Sequence, residues 1–200
     1  MVMKRMMLCF ALLVHANVLV VHADVASAEV PFQFAAPNTR APDDPDVNGV
    51  RFSIFHGENE SISGVDFGLL SLSETSHLSG VSLVLGIGKV NNEMSGGVAI
   101  SLVNIHGGND SGLNAAFINR INATENAVNF GFVNIADGET LLDIGGVNVS
   151  KSSTAQLGFI NVTKEIKGFQ FGFVNIAENG FMKVFPVFNF PKSAPTDTQN

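Results

Sequence analysis

A nine-residue phrase recurs along this chain at intervals of about 14 residues. The clearest copy is GFQFGFVNI at Gly168–Ile176, and VNFGFVNI at Val128–Ile135 repeats most of it. Aligned copies start at Gly49, Gly64, Gly80, Gly97, Gly112, Ala127, Leu141, Thr154, Gly168 and Met182. One copy is too short to bury its own apolar side chains, so copies must stack on one another. The chain is therefore expected to fold as a repeat architecture.

Within each unit the apolar residues recur with a period of two. In the copy that starts at Gly168, positions 2, 4 and 6 are Phe169, Phe171 and Phe173, whereas positions 3 and 5 are Gln170 and Gly172. Alternation of this kind is typical of a β-strand with one apolar face. The unit is therefore predicted to be a strand followed by a short polar connection.

Asparagine marks position 8 of the later units. It stands at Asn104, Asn119, Asn134, Asn148, Asn161, Asn175 and Asn189, whereas His56, Ser71 and Ile87 replace it in the first three units. Stacked copies would bring these amides into one column, where neighbouring side chains can hydrogen-bond.

Two all-β architectures fit this pattern. Strands of nine residues joined by polar connections such as Ala136–Glu139 and Ser150–Ser153 indicate an antiparallel meander of about ten repeated strands, closed as a barrel. The alternative is a β-solenoid with an Asn ladder, in which each unit is one turn. The polar half of the unit offers almost no apolar side chain for a second buried wall. The meander or barrel is therefore the favoured prediction.

Composition divides the chain into four segments. Residues 1–28 form a predicted signal peptide, because Lys4 and Arg5 precede an apolar run and Ala26–Ala28 fits a cleavage site. Residues 29–48 are rich in Pro and Asp and are predicted to be an extended linker. The repeat domain is expected at 49–190 and a disordered tail at 191–200.

The charge of the exported chain disfavours polyanionic partners. Removing residues 1–28 takes away Lys4, Arg5 and Asp24, so the formal net charge changes from −7 to −8. A surface with this charge repels nucleic-acid phosphates and anionic lipid headgroups. We expect outer-membrane lipid or an envelope component as the partner, and no nucleic acid.

Motifs that carry chemistry are scarce. No nucleophile elbow, zinc-protease helix or phosphate-binding loop occurs, so no catalytic residue and no cofactor are expected. Asp44, Asp46 and Asn48 have the spacing of half a calcium loop, but its twelfth position is Phe55 where a bidentate Glu would be needed. They are weak metal candidates.

Three histidines follow the predicted cleavage site. They fall in different units: His56 lies in the Asn column, whereas His77 and His106 are placed in turns. We interpret them as surface or capping residues.

The repeat phrases GFQFGFVNIA and VNFGFVNIA and the closing GFMKVFPVFNFPK carry a resemblance. They are similar to the units of uncharacterised bacterial surface repeat-containing proteins, whose tandem Gly-Leu-Gln-Ile-Gly-Leu-Val-Asn-like copies end in a Phe-Pro-x-Phe-Asn-Phe segment. The match covers Gly97 to Lys192 well and Gly49 to Ser95 loosely. The resemblance implies a location in the cell envelope and no catalytic residue. The expected function is that of an exported envelope or surface protein with a structural or small-barrel role, or a secreted or surface-displayed binding module.

Overall fold

The computed structural model describes residues 30–192, and these residues contain strands and no helix. The predicted signal peptide and nearly all of the predicted tail lie outside them. The strands are β1 (Val30–Ala36), β2 (Thr39–Ala41), β3 (Asp46–Met94), β4 (Val98–Asp110), β5 (Leu113–Ala115), β6 (Ile118–Ala177) and β7 (Val184–Asn189). β3 and β6 contain 49 and 60 residues because each runs through several turns of a coil.

Successive repeats pair in parallel, one directly above the other. Val81 pairs with Val98 between β3 and β4, and Asn104 pairs with Asn119 between β4 and β6. These separations equal the local steps of the sequence repeat, so successive units in this part of the chain stack as successive turns. The molecule is a β-solenoid of about 6 turns. The solenoid alternative is confirmed, and the prediction of an antiparallel meander closed as a barrel is wrong.

The polar segments between the repeat phrases are not hairpin turns. Ala136–Glu139 and Ser150–Ser153 lie inside the continuous strand β6. They form the part of each turn that leads the chain back to the start of the next unit. Register shifts near Val84 and His106 mark places where the coil bends.

Antiparallel strands close both ends of the stack. β2 pairs with β1, and β7 pairs with the last turn of β6. Residues 29–48, predicted to be an extended linker, contain β1 and β2, and β1 pairs in parallel with the first turn of β3. Gln33 lies beside Arg51 and Phe34 beside Phe52, so β1 continues the side-chain columns of the solenoid.

The interior of the solenoid is mostly polar. Among the described residues, 28 buried side chains are polar or charged and 14 are apolar. One apolar cluster lies in the first half and consists of Ile62, Leu78, Val90, Met94 and Ala99. Buried polar groups are tolerated only when they are hydrogen-bonded. Hydrogen bonds between the turns must therefore supply much of the stability that an apolar core supplies in other proteins.

A column of glycines at position 5 makes room for the asparagines. A Cβ on Gly158 would lie 2.5 Å from the carbonyl oxygen of Gly145 and 2.6 Å from Nδ2 of Asn148. Real Cβ atoms do not approach so closely, and Gly131, Gly145 and Gly172 lie in similarly crowded places. Position 5 therefore requires glycine in these turns.

Candidate apolar docking surface

Two polar ladders inside the solenoid hold its outer surface in place. The first is the Asn column at position 8, where each Nδ2 donates to the Oδ1 of the Asn in the next turn at 2.8–2.9 Å, from Asn104 to Asn175. The same Nδ2 groups also donate to main-chain carbonyls; Asn148, for example, donates to Leu157 at 3.0 Å. Because the amides all point the same way, every asparagine between these two ends both donates and accepts along the column.

The second ladder, at position 3, runs in two opposing directions. Asn114 donates to Asn129, and Asn129 donates to Oδ1 of Asp143 at 2.8 Å. From the other end, Gln170 donates to Gln156, whose Nε2 lies 3.3 Å from Oδ2 of Asp143. Two rows of donors therefore meet at one residue. Only an acceptor fits there, and a carboxylate supplies acceptors on both of its oxygens.

Burial raises the pKa of the Asp143 carboxyl, and hydrogen bonds from Asn129 and Thr140 partly offset this effect. Because the folded protein then binds this proton more tightly than the unfolded chain, the contribution of Asp143 to stability increases as the pH falls through the raised pKa.

We therefore expect the natural chain to gain stability relative to Asp143→Asn as the pH falls from about 7 through the raised pKa to below the ordinary carboxyl value of 3.8. Below that ordinary value the full gain is reached, about 1.4 kcal/mol for each unit by which folding raises the pKa. Urea unfolding of both proteins across this range measures it. A stability difference that is constant or falls on acidification would contradict the prediction.

A buried ion pair occupies the position 3 column in the first two turns. Nε of Arg51 donates to Oδ1 of Asp66 at 2.8 Å, and both side chains are almost fully buried. Arg51 also donates to Asn59 at 2.9 Å and to Ser73, while Asp66 accepts from Ser73 and Ser82. The pair is thus enclosed in hydrogen bonds on all sides.

The apolar side chains lie on the outside of the solenoid. Positions 6 and 7 are consecutive and both point outwards, so the chain turns a corner between them. Among the described units these positions carry the most exposed large apolar side chains: Phe173 is 73% exposed, Leu70 63% and Phe117 61%. At the corner Phe55 and Leu70 have φ of +64° and +47°, in the left-handed region that bulky residues rarely adopt. We call this convex column, positions 6 and 7 of all units, the apolar ridge.

Phenylalanine rings order part of the apolar ridge. Phe117 stacks on Phe132 with ring centroids 5.3 Å apart, and Phe159 stacks on Phe173 at 5.5 Å. The unit between these pairs has Gly146 at position 6, and the ring of Phe132 leans over it. The rings in this part of the ridge therefore pack against one another and are not independent side chains.

Charged side chains are segregated from the apolar ridge. In the described units from Gly49 to Phe181, every charged side chain that is not buried lies at positions 9 to 14, on the return segment of the turn. In the last turns these residues are Lys151, Lys164, Glu165, Lys167 and Glu178. Positions 4 to 8 carry no Asp, Glu, Lys or Arg in any of these units. The solenoid is thus amphipathic across its width.

The residues singled out in the sequence do not come together. His56 lies 3.7 Å from Glu74 and does not join the Asn ladder, and His77 lies 3.8 Å from Glu60. His106 is not in a turn as predicted: it is buried in β4 with Nδ1 2.5 Å from Asp110. A ring without access to solvent is poorly placed to act on a substrate.

Gly88, and not Ile87 as predicted, pairs with Asn104. The sequence prediction placed Ile87 in the column because the unit that starts at Gly80 is longer than the others. A register shift between Val84 and Ile87 absorbs the added length.

The calcium hypothesis rests on the turn that leads into β3. Oδ1 of Asp44 accepts a hydrogen bond from the backbone of Asp46 at 2.9 Å, so this carboxylate supports the turn. Between residues 30 and 192 no group of three or more His, Cys, Asp or Glu could hold a metal ion. A site at Asp44, Asp46 and Asn48 stays a prediction.

Fold and surface together define a class: a parallel β-solenoid with a polar, laddered interior and an apolar ridge outside. Comparison with known proteins finds no matching family model, curated protein or solved structure. In the part of the chain that the structure describes, no helix is long and apolar enough to cross a membrane.

Proposed function

We propose that this protein is an exported, envelope-associated docking module that binds an apolar partner through its ridge. The observation that carries the proposal is the ridge itself, where Phe117, Phe159 and Phe173 keep 60% or more of their surface exposed. Contiguous apolar patches of this kind on soluble monomers usually mark interaction sites. The proposed location in the envelope rests on the predicted signal peptide and on the resemblance of the repeats to bacterial surface repeat proteins.

The role is one of binding and scaffolding. The ladders at positions 3 and 8 make a rigid support, and rigid repeat surfaces are well suited to extended partners. A small-barrel role is not part of the proposal, because the fold is a solenoid.

Fractionation of the cells that produce the protein tests this function. The natural chain is expected to sediment with the envelope, and the double variant Phe159→Ser, Phe173→Ser is expected to shift to the soluble fraction. The matched control is Lys164→Ser, Glu165→Ser, which changes two exposed residues on the charged segment of the same turn. A natural chain recovered only in the soluble fraction, or equal retention of both variants, would refute the proposal.

A further inference from the structure

The shape of the apolar ridge restricts the partner that can cover it. Phe173 and Val174 are consecutive and both exposed, so apolar side chains continue around the corner from positions 2, 4 and 6 onto position 7. The greatest exposure is at the corner itself. A convex surface of this kind needs a partner that surrounds it on both sides.

The bend at the corner prevents a single flat contact from covering both flanks of the ridge. Strands in the stack lie about 4.8 Å apart and each residue extends the chain by about 3.3 Å, so the ridge with its two flanks covers on the order of 1,000 Å². A second copy packed face to face would cover positions 2 to 6 and leave position 7 in water. Ile160, at position 7, is 40% exposed and would stay so. A fluid apolar phase would cover both flanks.

The distribution of charge also favours a fluid apolar phase as the partner of the ridge. Positions 4 to 8 carry no ionised side chain, whereas Lys151, Lys164 and Lys167 lie on the return segment with Glu165 and Glu178. In a bilayer this arrangement places the ridge among acyl chains and keeps the charged segment in water, as in other interfacial amphipathic elements. Since the chain has a net negative charge, contact with hydrocarbon and not attraction to anionic headgroups must drive the binding.

A groove beside the ridge suits a flexible hydrocarbon chain. It has a volume of about 390 Å³ and is lined by Gly145, Gly158, Gly172, Phe159, Phe171, Phe173 and Val187. Its lining side chains are all apolar, so a ligand there gains no side-chain hydrogen bond. An acyl chain needs none and adapts to the groove.

We propose that the apolar ridge inserts into the hydrocarbon layer of a lipid bilayer, so that the solenoid lies on one leaflet with its charged segment in water. The proposal rests on the proposed function and names the partner of the same surface.

Flotation of the exported protein with phosphatidylcholine vesicles is the test. The natural chain is expected to float with the vesicles at about 0.1 M salt and also at about 1 M salt. Salt screens the attraction between charges but does not screen hydrophobic contact. Phe159→Ser, Phe173→Ser is expected to lower the vesicle partition coefficient by roughly 30-fold or more, because each ring loses most of its transfer free energy. The control Lys164→Ser, Glu165→Ser should float as the natural chain does.

Several outcomes would overturn the proposal. These are a natural chain that does not float, equal flotation of both variants, or binding that needs anionic lipid and disappears in high salt. Light scattering then asks whether the chain is a dimer that the Phe variant makes monomeric, in which case a second copy covers the ridge. Loss of envelope retention in the Phe variant without vesicle binding would leave the docking function intact and refute only the lipid partner.

Discussion

Replacing Gly158 with alanine is expected to lower the free energy of unfolding by about 3 kcal/mol or more, the upper part of the range for overpacked sites. The added Cβ would meet the backbone carbonyl of Gly145 at 2.5 Å and both ladder amides, Nδ2 of Asn148 at 2.6 Å and Oδ1 of Asn161 at 3.0 Å. The carbonyl belongs to the backbone of the neighbouring turn, so it cannot move aside as the end of a flexible side chain can. The clash therefore separates two turns and stretches the Asn148–Asn161 bond.

Gly96→Ala is the matched control for this prediction. A Cβ there meets nothing within 4 Å, although φ is +63°. The only expected loss of stability is the cost of holding an alanine in the left-handed backbone region, roughly 1 kcal/mol. Chemical denaturation of both variants gives the comparison, and equal destabilisation would show that the crowding at position 5 is not what makes glycine necessary.

Removing one partner of the buried ion pair is the second large effect. Asp66→Ala should destabilise the fold by about 3–5 kcal/mol, because it leaves the guanidinium of Arg51 buried without its counter-charge. Arg51 has no route to solvent, since its exposed fraction is 0%. Ser73 and Ser82 would also lose their acceptor.

The exposed pair Lys167–Glu139 serves as the comparison. Its N···O distance is 2.6 Å, similar to that of the buried pair, but both side chains are more than a third exposed. Glu139→Ala should therefore cost less than about 1 kcal/mol. If the two alanine variants have the same unfolding midpoint, burial of the Arg51–Asp66 pair does not matter to the fold.

The strand content and the alternation of side chains between two faces were predictable from sequence. The alternation at Phe169, Phe171 and Phe173 correctly indicated strands with one apolar face, and the asparagines at position 8 indicated a ladder. What the pattern did not reveal is which face lies inside. The choice of a barrel followed from the premise that a second wall must be apolar, whereas in the solenoid the inner walls are made of amides, hydroxyls and carboxylates that satisfy one another between turns.

The position 3 ladder escaped notice because its residue types vary. Asn114, Asn129, Asp143, Gln156 and Gln170 share no single identity, yet each is an amide or a carboxylate at the same place in its unit. Comparing the chemical class of the residues at each unit position, instead of their identity, would have revealed the position 3 ladder. The strand β1 was missed for a different reason: the prolines and aspartates of residues 29–48 dominate the composition, although most of them lie after Ala36.

The antiparallel strands at the two ends determine how long this molecule can be. Stacked parallel turns with bare edges offer their backbone hydrogen bonds to any further copy, which is how cross-β fibres elongate. Here the outermost strands are β2, only three residues long, and β7, in which Pro186 has no N–H to donate. These edges are poor templates for an incoming strand, so an architecture with fibre-like internal order is disposed to end as a discrete particle. A tandem duplication of one turn would lengthen that particle without opening it to polymerisation.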